Sequence, residues 1–315
     1  MDRFQYTQTE MAIPIKIVLY APNPGTATSA ARQAFAKFRR LNGIFSDYDP
    51  GSELRRLCRT SGEGHAVPVS DDLWHVLSHA QALAARSCGA FDVTVGPVVR
   101  LWRRARRREQ LPSDENLEQA RRLVGYRLLH LDPENRTARL LKPGMRLDLG
   151  GIAKGYAVDE AMKVLREHGL TRVLIDAGGD IGLGEAPPGK PGWLIGIARL
   201  EPDAPPSKYL WLKRTAIATS GDTWQYVQID GKRYSHIVDP RTGLGLSDHS
   251  SVTVVALDCR TADSLASAVS VLGPKAGLKL IERTAGAEAF IVRAPHGKIE
   301  TYQSSGWKRF SVRAE

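Results

Sequence analysis

Three short stretches of this sequence combine residue types that could act on a phosphorylated ligand. In the first, Asp148-Leu149-Gly150-Gly151-Ile152-Ala153-Lys154-Gly155, a glycine pair, a lysine and a third glycine stand where a strand-like run gives way to a helical one. Glycines let the backbone approach a ligand closely, a helix N-terminus offers unpaired N–H groups, and Lys154 can neutralise phosphate charge. The stretch matches neither the Walker pattern nor G-x-G-x-x-G, so a plain turn ahead of a helix accounts for it equally well. In the second, Thr261-Ala262-Asp263-Ser264-Leu265-Ala266-Ser267, the oxygen-bearing Asp263 and Ser267 are four apart and share one helix face. Carboxylate, hydroxyl, a backbone carbonyl and phosphate oxygens together suit magnesium, although capping a first helical turn is the plainer use. The third pairs Ser220-Gly221-Asp222 with Tyr234-Ser235-His236-Ile237-Val238-Asp239-Pro240-Arg241-Thr242-Gly243. His236 falls near the end of a hairpin strand, where an imidazole of near-neutral pKa can serve as a general base. The turn at 239–243 serves a structural purpose as readily.

The elements that must position these residues follow from hydrophobic period. Ile15, Ile17 and Leu19 mark an opening strand. Ala31, Ala34, Phe35, Phe38 and Leu41 mark a helix, as do Leu73, Val76, Leu77, Ala80 and Ala84 behind a cap at Ser70. Leu117, Ala120 and Val124 predict a third helix from Ser113, and Val158, Ala161, Val164 and Leu165 a fourth that ends at Gly169. Strands then dominate, over 172–176, 193–198 and 209–218, followed by a hairpin of 225–229 and 233–238 turned at Asp230-Gly231. A strand at 251–257, a helix at 261–272 and a closing hairpin of 289–293 with 299–303 complete the chain, and 201–207 reads as a surface loop. Helices mixed with antiparallel hairpins make this an α+β fold.

Composition narrows the function classes. A chain of 315 residues supports one large or two modest domains with a sizeable core. The net charge of +10 suits an anionic partner without choosing one. Part of it sits in the run Arg103, Arg104, Arg106, Arg107 and Arg108, where a solvated loop or helix face is preferred to a nucleic-acid patch because no aromatic residues interleave as stacking platforms. Cys58, Cys88 and Cys259 are too far apart in sequence for a C-x-x-C site. Residues 1–11 lack the apolar run of a signal peptide, and no stretch approaches the length of a membrane span.

Taken in order, these stretches resemble the ApbE family of FAD:protein FMN transferases. The resemblance starts at Met11 and takes in Ser46-Asp47-Tyr48-Asp49-Pro50-Gly51-Ser52-Glu53-Leu54 and Gly89-Ala90-Phe91-Asp92-Val93-Thr94-Val95-Gly96-Pro97. It continues through the segment at Asp148, Ala177-Gly178-Gly179-Asp180, the Ser220 and His236 segments and the Asp263 helix. It implies a single T-fold-related domain over 1–315, with mixed, largely antiparallel sheets, packed helices and an FAD cleft between sub-lobes of about 1–145 and 146–315. It implies that Met11, Tyr48, Ala90, Phe91, Asp92, Asp148, Lys154 and Ser251 line the FAD site, that Gly151, Asp263 and Ser267 hold Mg2+, and that His236, with Asp263, is catalytic. Asp239 and Thr242 would shape the turn beside His236. Two departures stand out: Ala12-Ile13 follows Met11 where Gly-Thr is usual, and Ser267 replaces the commoner Thr.

The activity so implied is magnesium-dependent transfer of FMN from FAD to a Thr or Ser hydroxyl, with AMP leaving. The expected acceptor carries a D-x-x-[ST]-G-A-[ST]-like motif, often in a membrane electron-transfer subunit, with no nucleic acid as partner. An FAD pyrophosphatase using water at the same site, or a non-catalytic FAD-binding protein, are the rival readings. The family works on the outer face of the cytoplasmic membrane, which points to an exported protein although no signal is visible.

Overall fold

The computed structural model describes residues 1–201, 204–223 and 225–310. Its first two elements, β1 (Asp2–Glu10) and β2 (Ile13–Ala21), pair antiparallel from Asp2 opposite Ala21 to Glu10 opposite Ile13. The stretch before Met11 is therefore a strand. Its few apolar side chains, Phe4 and Tyr6, lie on one face, and the rest is polar because β1 is an edge strand. Only Met11 and Ala12 connect the strands, with φ of 52° and 62°. A two-residue hairpin turn of this hand needs left-handed backbone, which an L-residue adopts at a cost of roughly 1–2 kcal/mol. The usual glycine at position 12 thus has a physical reason. Ala12→Gly is expected to stabilise the protein by about 1 kcal/mol, read as a higher urea midpoint at unchanged slope.

The long helix α1 (Pro24–Phe45) follows, capped by the side chain of Asn23, and then the short α2 (Glu53–Arg59) and β3 (Val67–Pro68). Next come α3 (Asp71–Arg86), capped by Ser70 as its sequence predicts, the arginine-rich α4 (Gly96–Arg108) and α5 (Asp114–Arg121). Val124 lies beyond the end of α5. Strands β4 (Leu129–Asp132) and β5 (Thr137–Leu140) join β3 in a small sheet, and α6 (Ala153–Glu167) begins just after the glycine pair. No strand precedes that glycine pair: residues 146–150 are irregular, held through Asp148 N–H to the Val93 carbonyl.

The second half supplies β6 (Val173–Ala177), β7 (Asp180–Leu183), β8 (Trp193–Ile197), β9 (Lys208–Leu212) and β10 (Thr215–Gly221). The run expected as one strand over 209–218 is two. Arg214, with φ of 51°, turns the chain between them, so that β9 pairs with β8 while β10 enters the main sheet. Of the loop expected at 201–207, Pro202 and Asp203 lie outside the described residues. The hairpin β11 (Tyr226–Ile229) and β12 (Lys232–Ser235) turns at Asp230 and Gly231 as its sequence predicts, but β12 stops one residue short of His236. Then come β13 (Ser250–Ala256), α7 (Cys259–Glu282), β14 (Glu288–Arg293) and β15 (Glu300–Gln303). Helix α7 runs past the expected end at 272, and non-helical backbone at Gly273, with Pro274 next, breaks it there.

Eight strands form one antiparallel sheet in the order β1-β2-β6-β7-β10-β13-β14-β15. Strand alternation explains its two buried faces. Ile15, Ile17, Leu19, Val252 and Val254 point to a large core shared with α1, α3, α6 and α7, whereas Val18 and Val255 point to a second core under β8, β9 and Trp307. A third, small core joins α4 to the β11–β12 hairpin. The α+β architecture expected from the sequence is the one observed.

Candidate active site

Helices α6 and α7 meet at their N-terminal turns, and glycines set how closely. A Cβ on Gly155 would collide with the carbonyl oxygen of Cys259, so only glycine permits the approach. Asp159, one turn further along α6, accepts hydrogen bonds from the N–H groups of Cys259 (2.8 Å) and Arg260 (2.9 Å) and fixes the start of α7. The cap of α7 is Asp258, whose side chain accepts from Thr261 N–H at 2.8 Å. Asp263 is thereby free of the capping duty that its sequence position allowed. Its buried carboxylate instead accepts from Gly155 N–H at 3.1 Å. One turn on, Ser267 Oγ lies 2.8 Å from where a Cβ on Gly151 would stand, and the ring of Phe91 lies 3.4 Å from the same point. Gly151, Asp263 and Ser267 therefore lie along one seam, with Phe91 as its apolar wall.

Charge in this seam is unbalanced. Lys154 pairs with the buried Asp180, at the start of β7. Burial opposes the ammonium charge, but Asp180 and Asp263 together outweigh it and hold the lysine pKa above its ordinary value. Burial, reinforced by Asp180 and opposed by Lys154, pushes the Asp263 carboxyl up to about 7. Two carboxylates share one ammonium, and the corner is short of a cation.

His236 follows β12, and its hairpin is held by α4. Val98, Trp102 and Ala105 pack against Val227, Ile229, Tyr234 and Val238, and Trp102 Nε1–H donates to the Gly243 carbonyl at 2.7 Å. Trp102→Ala should lower stability by about 3–5 kcal/mol and loosen this hairpin, read as an earlier thermal transition. His236 reaches solvent with part of its surface while the protein packs around the rest, and its Nδ1 meets the Gln225 carbonyl at 3.0 Å. A carbonyl only accepts, so Nδ1 carries the hydrogen and the neutral ring keeps its Nε2 lone pair. Desolvation by the surrounding protein holds the His236 pKa below the usual histidine value; the Gln225 hydrogen bond opposes this, and Arg106 and Lys154 add to the lowering.

The other expected residues fall into two groups. Asp148 accepts from Gly150 N–H and from Arg103, which also pairs with Asp47 and lies 4.4 Å over the exposed ring of Tyr48. Asp92 is buried and occupied locally, accepting from both the N–H and the hydroxyl of Thr94, yet it lines a cavity of about 350 Å3 with Gly89, Tyr126 and Arg241 of the turn after His236. Ala90 is buried beside it. Met11 sits at the β1–β2 turn, near the Gly178 turn that leads to Asp180: Ile13 lies 3.3 Å from a Cβ placed on Gly178. Ser251 is buried in β13 opposite Gly221, and no hydrogen bond joins its side chain to the seam among the described residues. A concavity of about 620 Å3 beside the second half of α7 touches none of these residues, so chemistry rather than volume marks the site.

Sequence reasoning missed Arg103 as a site residue, reading it with its neighbours as solvated, and gave Asp180 no role. Asp222, part of the third stretch, was likewise given no role. It is buried, bound by Arg233 Nε (2.7 Å), His249 Nδ1 (2.7 Å) and Ser250 N–H (3.1 Å), and it anchors the end of β10. A buried carboxylate must find such partners, but nothing in the sequence shows which.

Comparison with known proteins shows the family. The ApbE family pattern matches residues 11–291. The FAD:protein FMN transferase of Vibrio cholerae is 36% identical over 307 residues, covering 93% of this chain and 88% of the relative. That of Haemophilus influenzae is 33% identical over 300 residues, covering 92% and 86%. Among solved structures, the ApbE protein of Thermotoga maritima aligns with a TM-score of 0.87 at 32% identity, over 99% of this chain and 100% of that one. Flavin transferase ApbE from Vibrio cholerae aligns with a TM-score of 0.87 at 28% identity, over 98% and 99%. Sequence pattern, relatives and fold agree over nearly the whole length, and the chain belongs to the ApbE family.

Proposed function

We propose that this protein transfers FMN from FAD to a Thr or Ser hydroxyl of an acceptor protein. The observation that carries the reading is the cation-deficient seam of Gly151, Asp263 and Ser267; His236, whose tautomer leaves Nε2 free, would supply the base. The donor set fits magnesium: hard oxygens, one carboxylate only, and Gly151 so close to Ser267 that a side chain there would fill the space. The Gly151 carbonyl, the Asp263 carboxylate and the Ser267 hydroxyl would hold the ion, which would neutralise pyrophosphate charge as the bond breaks. The described residues contain no cluster of three His, Cys, Asp or Glu, so phosphate oxygens and water would complete the shell.

The residues of the chain then have separate tasks. Met11, Tyr48, the 90–92 segment, Asp148 and Ser251 would line the flavin cleft between the two halves. Lys154 supplies fixed positive potential and is kept charged by Asp180. His236 Nε2 takes the proton of the acceptor hydroxyl. The hydroxyl oxygen bonds to the FMN phosphorus, the bond from that phosphorus to the oxygen bridging to AMP breaks, and AMP leaves with the electron pair. The product is a phosphoester-linked flavin. Acceptors of the D-x-x-[ST]-G-A-[ST] kind, in exported membrane electron-transfer subunits, match this chemistry. AMP release should require both magnesium and acceptor; equal release without acceptor would instead mark a pyrophosphatase.

Metal affinity should depend on pH through Asp263. Only the ionised carboxylate binds the ion, and with its pKa pushed up to about 7 protons compete below neutrality. Magnesium affinity should be flat above about pH 8 and weaken about tenfold per unit below about pH 7. Calorimetric titration of the FAD-bound protein at several pH values measures it, and a flat profile down to pH 5 would contradict the assignment.

A further inference from the structure

Helix α4 carries six arginines, Arg104 and Arg108 on one part of its exposed face and four others on the part next to the site. Arg100, Arg103 and Arg107 are spaced i, i+3 and i+7 along α4, so they share one flank, and Arg106 lies three residues beyond Arg103 on the neighbouring edge. Two of the four are located by contact. Arg103 binds Asp148 and Asp47 beside Tyr48, and Arg106 Nη1 reaches Gln225 Oε1 at 3.4 Å, on the residue whose carbonyl orients His236. The flank that joins them therefore runs between the expected flavin residues and the base.

This flank carries excess positive charge. Arg103 is neutralised by its two carboxylates, whereas Arg100, Arg106 and Arg107 are exposed and reach no carboxylate within ion-pair distance among the described residues. At the Arg100 end the excess grows. Arg146 packs against the start of α4, its carbonyl oxygen 2.7 Å from a Cβ placed on Gly96. Burial lowers the Arg146 pKa, and the charges of Arg55 and Arg100 lower it further, against the opposing influence of Cys58 and Asp47. Arg55 also has a buried Nε without a hydrogen-bond partner. Like charges held together in this way raise the free energy of the protein alone and favour an anionic partner.

We infer that the α4 flank of Arg100, Arg106 and Arg107, with Arg55 and Arg146 at its end, is the docking strip for an acidic segment of the acceptor polypeptide. The inference rests on the transferase reading above, because it is the acceptor hydroxyl that must reach His236. Arg100 to Arg107 spans about 10 Å of helix, the reach of about three extended residues. The acidic residues should accordingly lie within a few positions of the modified Thr or Ser. Charge complementarity at the rim of a site acts mainly through encounter rate and salt dependence, so the strip should set acceptor affinity and leave the chemical step alone.

The test uses the full chain with FAD and magnesium and two fluorescein-labelled peptides, each with one D-x-x-T-G-A-T acceptor motif flanked by either four glutamates or four glutamines. Fluorescence anisotropy should show the glutamate peptide binding at least tenfold more tightly at 50 mM salt, with the preference shrinking at 500 mM. Arg100→Glu and Arg107→Glu should each weaken that binding about tenfold, raise the acceptor KM to match and leave kcat unchanged; Arg107→Lys should retain most of it. FAD affinity, read by flavin fluorescence, serves as the folding control and should not move. Unchanged peptide affinity in both variants would overturn the inference. So would a loss of FAD affinity, which would assign the strip to the dinucleotide. A third overturning result is a 20-base-pair DNA or a phosphatidylserine vesicle bound as tightly as the peptide and lost in the same variants, which marks a general polyanion surface. If the strip binds the glutamate peptide yet no peptide is ever modified, the transferase reading fails while the docking surface stands.

Discussion

Asp263→Asn is expected to abolish FMN transfer, with a loss of about a thousandfold or more, while the protein folds as before. The amide is isosteric and its oxygen can still accept from Gly155 N–H, so the seam between α6 and α7 keeps its hydrogen bond. What disappears is the charge. In the native seam that charge is unfavourable in the absence of a cation, because Asp180 lies near and burial raises its cost. The substitution should therefore leave the thermal transition equal to or above that of the parent, while magnesium no longer promotes AMP release at any concentration. Intact activity would remove Asp263 from the metal set, and an unfolded variant would show a structural role instead. Isothermal titration with magnesium in the presence of FAD separates these results from a simple loss of flavin binding.

The second large effect is expected at His236. His236→Gln should lower kcat by about 10²–10⁴-fold and leave FAD affinity within about twofold, because the imidazole is assigned to the proton and not to flavin binding. Glutamine offers no base of comparable strength. The pH profile gives an independent signature. A protonated Nε2 cannot accept, so activity at saturating magnesium should fall as pH drops through the His236 pKa, with a midpoint below the ordinary histidine value because desolvation and the charges of Arg106 and Lys154 lower it. That acidic limb should vanish in His236→Gln. A variant that loses rate but keeps the limb would show that some other group titrates there.

Much of this arrangement was readable from residue order, for identifiable reasons. The stripe of Phe38 and Leu41 and the alternation of Ile15, Ile17 and Leu19 report burial directly, since each element buries one face in the large core. The spacing of Asp263 and Ser267 placed two oxygen donors on one face because a helix returns every four residues. What sequence did not show depends on contacts across space. Arg103 looked like its neighbours in an arginine run, yet its carboxylate partners are 56 and 45 residues away. Gly155 read as part of a phosphate loop, whereas its bare Cα also sets how closely α6 approaches α7. The polar strand β1 lacked a strand signal because one edge and one face are exposed, and the apolar run from 209 to 218 hid a turn that only the positive φ of Arg214 reveals. Asp180 is the most instructive omission: its role lies in the charge of Lys154, and no local pattern encodes an ion pair between different elements.

The most direct measurement is the intact mass of a threonine-bearing acceptor domain after incubation with the protein, FAD and magnesium, taken together with the amount of AMP released. The account predicts an acceptor heavier by one FMN less one water, one AMP for each acceptor modified, and neither product in Asp263→Asn. AMP and free FMN alongside an acceptor of unchanged mass would contradict it, and would assign the same seam to hydrolysis by water.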